Sequence, residues 1–186
     1  LGPIRGFERF HFLVPVVLPT NLPINRNNLD LNALIWMKSV KKKLFNACLK
    51  YITDGSASLK ATIREIQQSA NEETKSSAGD KYETGRAMAQ LEIDKHRSQL
   101  AETLKMKEAL LRIPVEDTVQ HIKPGSVVFT SRGNFYIAVN AGQQHVDGQN
   151  FFAVSTASPI AQKLIGLTAG DSMMLNNQEF TILAIQ

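Results

Sequence analysis

The fold turns on two short stretches, Leu110-Leu111-Arg112-Ile113-Pro114 and, further on, Ser126-Val127-Val128-Phe129-Thr130. Up to Arg112, apolar residues recur at steps of three and four, the period of a helix. From Ser126, β-branched and aromatic residues follow one another, as in a strand. Pro114 cannot continue a helix, so it closes the first regime. A helical first part followed by a sheet-forming second part makes the chain α+β.

Upstream of Pro114 the sequence predicts a long helix from about Asp80 to Arg112. Ala89, Ile93, Leu100, Leu104 and Leu111 share one register, with Arg97 and Lys107 in the gaps. About 30 residues at about 1.5 Å each give a rod of about 45 Å. Before it, the stretch from Asn71 through Glu72, Glu73 and Ser76 to Gly79 is polar and small, and reads as a turn. Earlier still, Leu59, Ile63, Ile66 and Ala70 form one apolar stripe, and Val40, Leu44, Ala47 or Cys48, and Tyr51 another. Asp54-Gly55-Ser56 is expected to divide these two pieces, with Gly55 ending one helix and Ser56 or Ser58 capping the next. Striped helices joined by a polar turn pack antiparallel, because each stripe needs a partner. The expectation is a two-helix coiled-coil finger over 37–113; the competing one is a bundle completed by dimerisation.

Asp80 and Glu83 stand three residues apart at the start of the long helix. Residues so spaced share a helix face. Two exposed carboxylates there suit Mg²⁺, a hard cation that keeps most of its waters. They also suit plain helix-start chemistry, since acids favour helix N-termini. The pattern alone favours the second.

Residues 1–36 read differently from the rest. Phe10 to Leu18 is apolar but broken by Pro15, and Pro19, Pro23 and Asn25-Arg26-Asn27-Asn28 follow. Arg5 and Arg9 ahead of the apolar run mimic a secretory signal, but no small-x-small cleavage site follows. The expectation is a disordered leader or a segment upstream of the native start, with Met37 opening the folded chain.

Downstream of Pro114, Ser126 to Thr130, Asn134 to Val139 and Phe151 to Val154 are predicted strands, with Asp147-Gly148-Gln149-Asn150 a loop. Ser158-Pro159 signals a helix start, with serine as cap and proline in the first turn. Gly166 ends that helix. Ser172 to Leu175 and Phe180 to Ile185 form a hairpin across Asn176-Asn177. The expected product over 114–186 is a small, mostly antiparallel sheet with one short helix across it.

The charge is uneven. The chain carries +4 overall; residues 37–112 hold 15 Lys and Arg against 10 Asp and Glu, and residues 113–186 hold 3 against 5. A basic finger suits a polyanionic or acidic partner. Lys41, Lys42, Lys43, Lys60 and Arg64 are its candidate contacts to RNA or protein, without sequence specificity. One cysteine, Cys48, excludes an intrachain disulfide and fits a reducing compartment. No apolar run approaches the roughly 20 residues of a membrane helix.

Ser158-Pro159-Ile160 through Gly166, then Gly170-Asp171 and the last strand Phe180 to Ile185, together resemble the closing signature of the Gre family, the GreA/GreB transcript cleavage factors. Gly79-Asp80-x-x-Glu83 is similar to that family's finger tip, and the order of parts also matches. The resemblance covers about Met37 to Gln186. It implies an FKBP-like C-terminal domain that docks at the secondary channel of bacterial RNA polymerase in the cytoplasm, with Ser158, Pro159, Ile160, Gly166, Gly170 and Asp171 as partner-binding residues. It further implies a monomer whose finger enters the channel. There Asp80 and Glu83 would assist the polymerase's Mg²⁺ in cleaving the 3′ end of backtracked RNA. DNA is met only indirectly, and no metal or cofactor is bound by the chain alone. Thr84-Gly85-Arg86 follows Glu83 where the family usually has Asn, and Ala161 and Lys163 replace its usual Gly and Ala. These departures leave a channel-binding regulator without cleavage activity open.

Three other readings compete. A prolyl isomerase would need Phe129, Phe135, Tyr136, Phe151, Phe152 and Phe180 to line a pocket, whereas strand aromatics are more often core. A nucleophilic enzyme would need Cys48 beside His96, His121 or His145, and nothing in the sequence brings them together. A coiled-coil adaptor would have no tip chemistry.

Overall fold

The computed structural model describes residues 31–73, 80–115 and 119–186, and of these it leaves out the side chains of 31–34, 73 and 80–83. The expectations for residues 1–30 and for most of the turn before Asp80 lie outside the described residues. The chain is an α+β protein, a helical hairpin followed by a six-stranded sheet with one short helix.

Helix α1 runs Leu31–Glu73 without a break, and α2 runs Asp80–Leu111. The expected division at Asp54-Gly55-Ser56 is therefore absent. Glycine inside a helix costs about 1 kcal/mol. The stripe of Val40, Leu44, Cys48 and Ile52, all fully buried, resumes beyond it at Ile63. Each such buried side chain stabilises by about 1.5–3 kcal/mol, so the stripe outweighs the local stop signal. The helix also starts six positions before Met37. Trp36 belongs to the core, its ring 5.9 Å from that of Phe129. Residues 31–36 are thus helix, and the last of them packs.

The seam of α2 also differs from the expected one. Leu104 and Leu111 are exposed, whereas Ile93 and Leu110 are buried. The half-buried residues between them are His96, Leu100, Thr103, Met106 and Lys107. Steps of three and four that drift around the cylinder place polar side chains in the seam and leave two leucines outside it.

The sheet follows: β1 Val127–Thr130, β2 Gly133–Ala138, β3 Gly142–Val146, β4 Gln149–Ser155, β5 Ser172–Leu175 and β6 Gln178–Ile185, with α3, Pro159–Leu164, between β4 and β5. Their order across the sheet is β3-β4-β2-β1-β6-β5. All pairs are antiparallel except β2 with β4. Strand β3 was not expected. It turns into β4 through Asp147 and Gly148, both at positive φ, as a two-residue hairpin turn of the primed kind requires. Asn176 and Asn177 do the same between β5 and β6, as expected.

Alternation along the strands splits the apolar residues between two cores. Val127, Phe129, Tyr136, Ala138, Phe151 and Ala153 face the hairpin and pack on Met37, Val40, Leu44, Cys48, Ile52 and Leu110. Val128, Phe135, Ile137, Phe180 and Ile182 face the other way and pack on Ile122 and on Ala161 and Leu164 of α3. The base of the finger is therefore one layer of the C-terminal fold, and the finger is rooted in the sheet rather than tethered to it. No helix among the described residues is long and apolar enough to cross a membrane.

Candidate functional site

The hairpin base is rooted on the sheet, and the helices run away from it to the end of α1 at Glu73 and the start of α2 at Asp80. Helix α2 begins at Asp80, and Glu83 falls in its first turn. The side chains of both lie outside the described residues, so only their backbone position is set. Among the described residues, no three His, Cys, Asp or Glu side chains gather as a metal site.

The five basic candidates separate. Lys42, Lys43, Lys60 and Arg64 are exposed. Lys41 is not: it is 1% exposed and belongs to the buried side of α1. A run of three lysines spans 200° of helix, so it cannot all face water. Lys43 is committed within the chain, its ammonium 2.7 Å from Asp147 Oδ1.

The six candidates around α3 come together as a built corner. Ser158 Oγ accepts from Ala161 N at 3.3 Å and donates to the Ser155 carbonyl at 2.8 Å. Pro159 opens the helix, and Ile160 packs at the margin of the second core. Gly166 has φ +90° and donates its N–H to the Ile122 carbonyl at 2.8 Å. Gly170 has φ +98° and donates to the Ile182 carbonyl at 2.8 Å. Both positions favour glycine because a Cβ strains the left-handed region. Asp171 Oδ2 accepts from the Thr168 amide at 2.8 Å and from Thr168 Oγ1 at 2.9 Å. These two bonds hold its carboxyl below the usual carboxylate range. The corner needs these residue types to close the fold, and it presents Pro159, Ile165, Gly170 and Met174 at the surface.

The competing chemistries do not assemble. Phe129 and Phe151 lie in the core under the hairpin, and Phe135 and Phe180 in the core under α3. Adjacent strand residues point to opposite faces, so these aromatics cannot line one pocket. Cys48 is fully buried, and burial pushes its thiol up to about 12. His96 pairs with Gln99 at 3.1 Å and His145 with Asn150 at 2.9 Å, on separate elements. A groove of about 760 Å³ opens between the helices of the finger, bordered by Ile66, Ala70, Gly85, Met88 and Leu91. The sequence signal for it was the run of small residues, Ser69-Ala70 and Gly85, that border it.

No protein-family model matches the chain, and no curated protein matches it. A solved structure described as that of the transcription factor Gfh1 aligns with it at 22% identity, over 75% of this chain and 93% of that one, with a TM-score of 0.29. A superposition at that score carries neither fold nor function across.

Proposed function

We propose that this chain is a Gre-type transcription elongation factor that binds bacterial RNA polymerase and acts through the polymerase's own active centre. The observation that carries the reading is a coincidence of parts in one chain. A hairpin rooted on a sheet begins its second helix at Asp80 with Glu83 one turn on. The sheet then closes through a Ser158-capped, proline-led helix, two left-handed glycines and a final hairpin. This is the order of parts in the family whose motifs the sequence resembles.

In this reading the α3 corner docks at the mouth of the secondary channel and the finger enters it. A finger of α2's length reaches about 48 Å. Asp80 and Glu83 would help hold a Mg²⁺ ion at the polymerase, where the metal supplies Lewis-acid activation of water in a two-metal hydrolysis. The residues of this chain position carboxylates; bond cleavage belongs to the polymerase. Exposed Lys42, Lys60 and Arg64 would face the acidic or RNA-lined wall of the channel. A regulator that enters without promoting cleavage is the second reading, favoured by Thr84-Gly85-Arg86 after Glu83.

The test is RNA cleavage in backtracked elongation complexes, with the wild-type chain and with Asp80→Ala/Glu83→Ala. Stimulation by wild type and its loss in the double variant is the expected result. Binding without stimulation would leave the regulator, and no binding would sink both.

A further inference from the structure

Gly55 stands inside a 43-residue helix where neither space nor backbone geometry asks for glycine. A Cβ there meets nothing within 4 Å among the described residues, and the Gly55 φ lies outside the left-handed region. Alanine would raise the local helix preference about fivefold at no steric cost. What alanine lacks is conformational freedom.

Three further features converge on this point. Thr53 Oγ1 donates to the Leu49 carbonyl at 2.8 Å, and Ser56 Oγ donates to the Thr53 carbonyl at 2.9 Å. Hydroxyls that bond back to the carbonyls of the preceding turn bend helices. Ile52 is the last residue of α1 in the core shared with the sheet, so the helix is anchored up to Ile52 and leaves the sheet beyond it. Past Gly55 the seam is thin. Ile63 and Ile93 are buried, but Ile66, Ala70 and Ala89 are only half-buried beside the open groove, and Met88 and Leu91 are 65% and 71% exposed.

We infer that the finger carries a built-in bending point at Gly55–Ser56, about which its distal half moves while its base stays clamped to the sheet. Helix α2 passes this height without glycine or proline, so the motion is a bend and not a break. The bend stands on the free chain; its use in fitting the finger to a channel rests on the proposed function.

Hydrogen exchange of the full chain, read by mass spectrometry, tests it. In wild type, the amides of 57–70 should exchange at least about tenfold faster than those of 40–52, with a step at residue 55. Gly55→Ala should slow the distal amides about fivefold and leave the base unchanged. Ser56→Ala should shift the same amides in the same direction. A smooth gradient from tip to base, as simple fraying gives, would overturn the inference. So would a slowing spread evenly along α1. Because exchange is read without polymerase, a failure to bind polymerase counts against the proposed function alone.

Discussion

Lys43 Nζ lies 2.7 and 2.9 Å from the two carboxylate oxygens of Asp147, joining the first helix to the β3–β4 turn across 104 positions of sequence. The contact is two-pronged, but the side chains are 51% and 28% exposed. Water and salt screen such a pair, which limits it to about 0.2–1 kcal/mol. The apolar core beneath it, from Val40 to Ile52, carries the attachment of finger to sheet. Asp147→Asn removes the charge and keeps a side chain that tolerates φ +51°. Urea denaturation should show a loss of no more than about 1 kcal/mol, vanishing in high salt. A larger loss would place the attachment in the ion pair.

Tyr136 sits in that core fully buried, and its hydroxyl has no hydrogen-bond partner among the described residues. Burial raises its ionisation well above the usual tyrosine range, with Cys48 adding to the effect. An unbonded buried hydroxyl costs about 1–3 kcal/mol relative to a satisfied one. Tyr136→Phe should therefore leave stability unchanged or raise it by about 1 kcal/mol. A loss beyond about 1 kcal/mol would mean that the hydroxyl is bonded.

Cys48 should behave as a small apolar residue. The thiolate is the reactive species, and with the pKa pushed up to about 12 almost none is present at pH 8. Maleimide should label the native chain at least about a hundredfold more slowly than the chain in denaturant. Fast labelling of the native chain would show that the hairpin base opens.

The sequence made some of these features readable and hid others, and the difference is physical. The corner at Ser158-Pro159 and the turn at Asn176-Asn177 were readable because their chemistry is local: a cap bond and left-handed backbone. The switch from helix to sheet at Pro114 was readable because both periods are strong. Strand β3 was not, because Gly142-Gln143-Gln144-His145-Val146 is an edge strand exposed along most of its length. Its one clear signal was Asp147-Gly148, a hairpin turn read as a loop. Gly55 misled in the opposite sense, since a local stop signal was overridden by a stripe that only the folded core makes visible. For the tip, spacing placed Asp80 and Glu83 in the first turn of a helix, where capping and metal binding leave the same pattern.

Asp171 gives a pH-dependent reading of the α3 corner. Its carboxyl is held low by the Thr168 amide first and the Thr168 hydroxyl second, with His121 a lesser contributor. A lowered folded pKa contributes stability that is present above the unfolded value and lost as pH falls through the folded one. Carboxyl carbon NMR should find Asp171 titrating below an ordinary aspartate. Thr168→Val removes the hydroxyl donor and keeps the amide, so the titration should move up part of the way. No movement would leave the backbone bond as the whole cause.

The sharpest test of the seam uses two neighbouring leucines. Leu110 is fully buried in the core between hairpin and sheet, and Leu111, next along α2, is 56% exposed. Sequence periodicity had assigned Leu111 to the stripe, and a shift of one residue rotates a side chain by 100°. Truncating a buried leucine removes its transfer energy and leaves a cavity, together about 2–5 kcal/mol. Truncating a solvent-facing one should change stability by less than about 1 kcal/mol. Leu110→Ala should therefore lower the urea midpoint strongly, and Leu111→Ala hardly at all. Equal effects would mean that α2 is rotated from the position described, and would remove Leu110 from the base on which the finger is rooted. The reversed order would restore the register expected from periodicity and place Thr103 and His96 outside the seam.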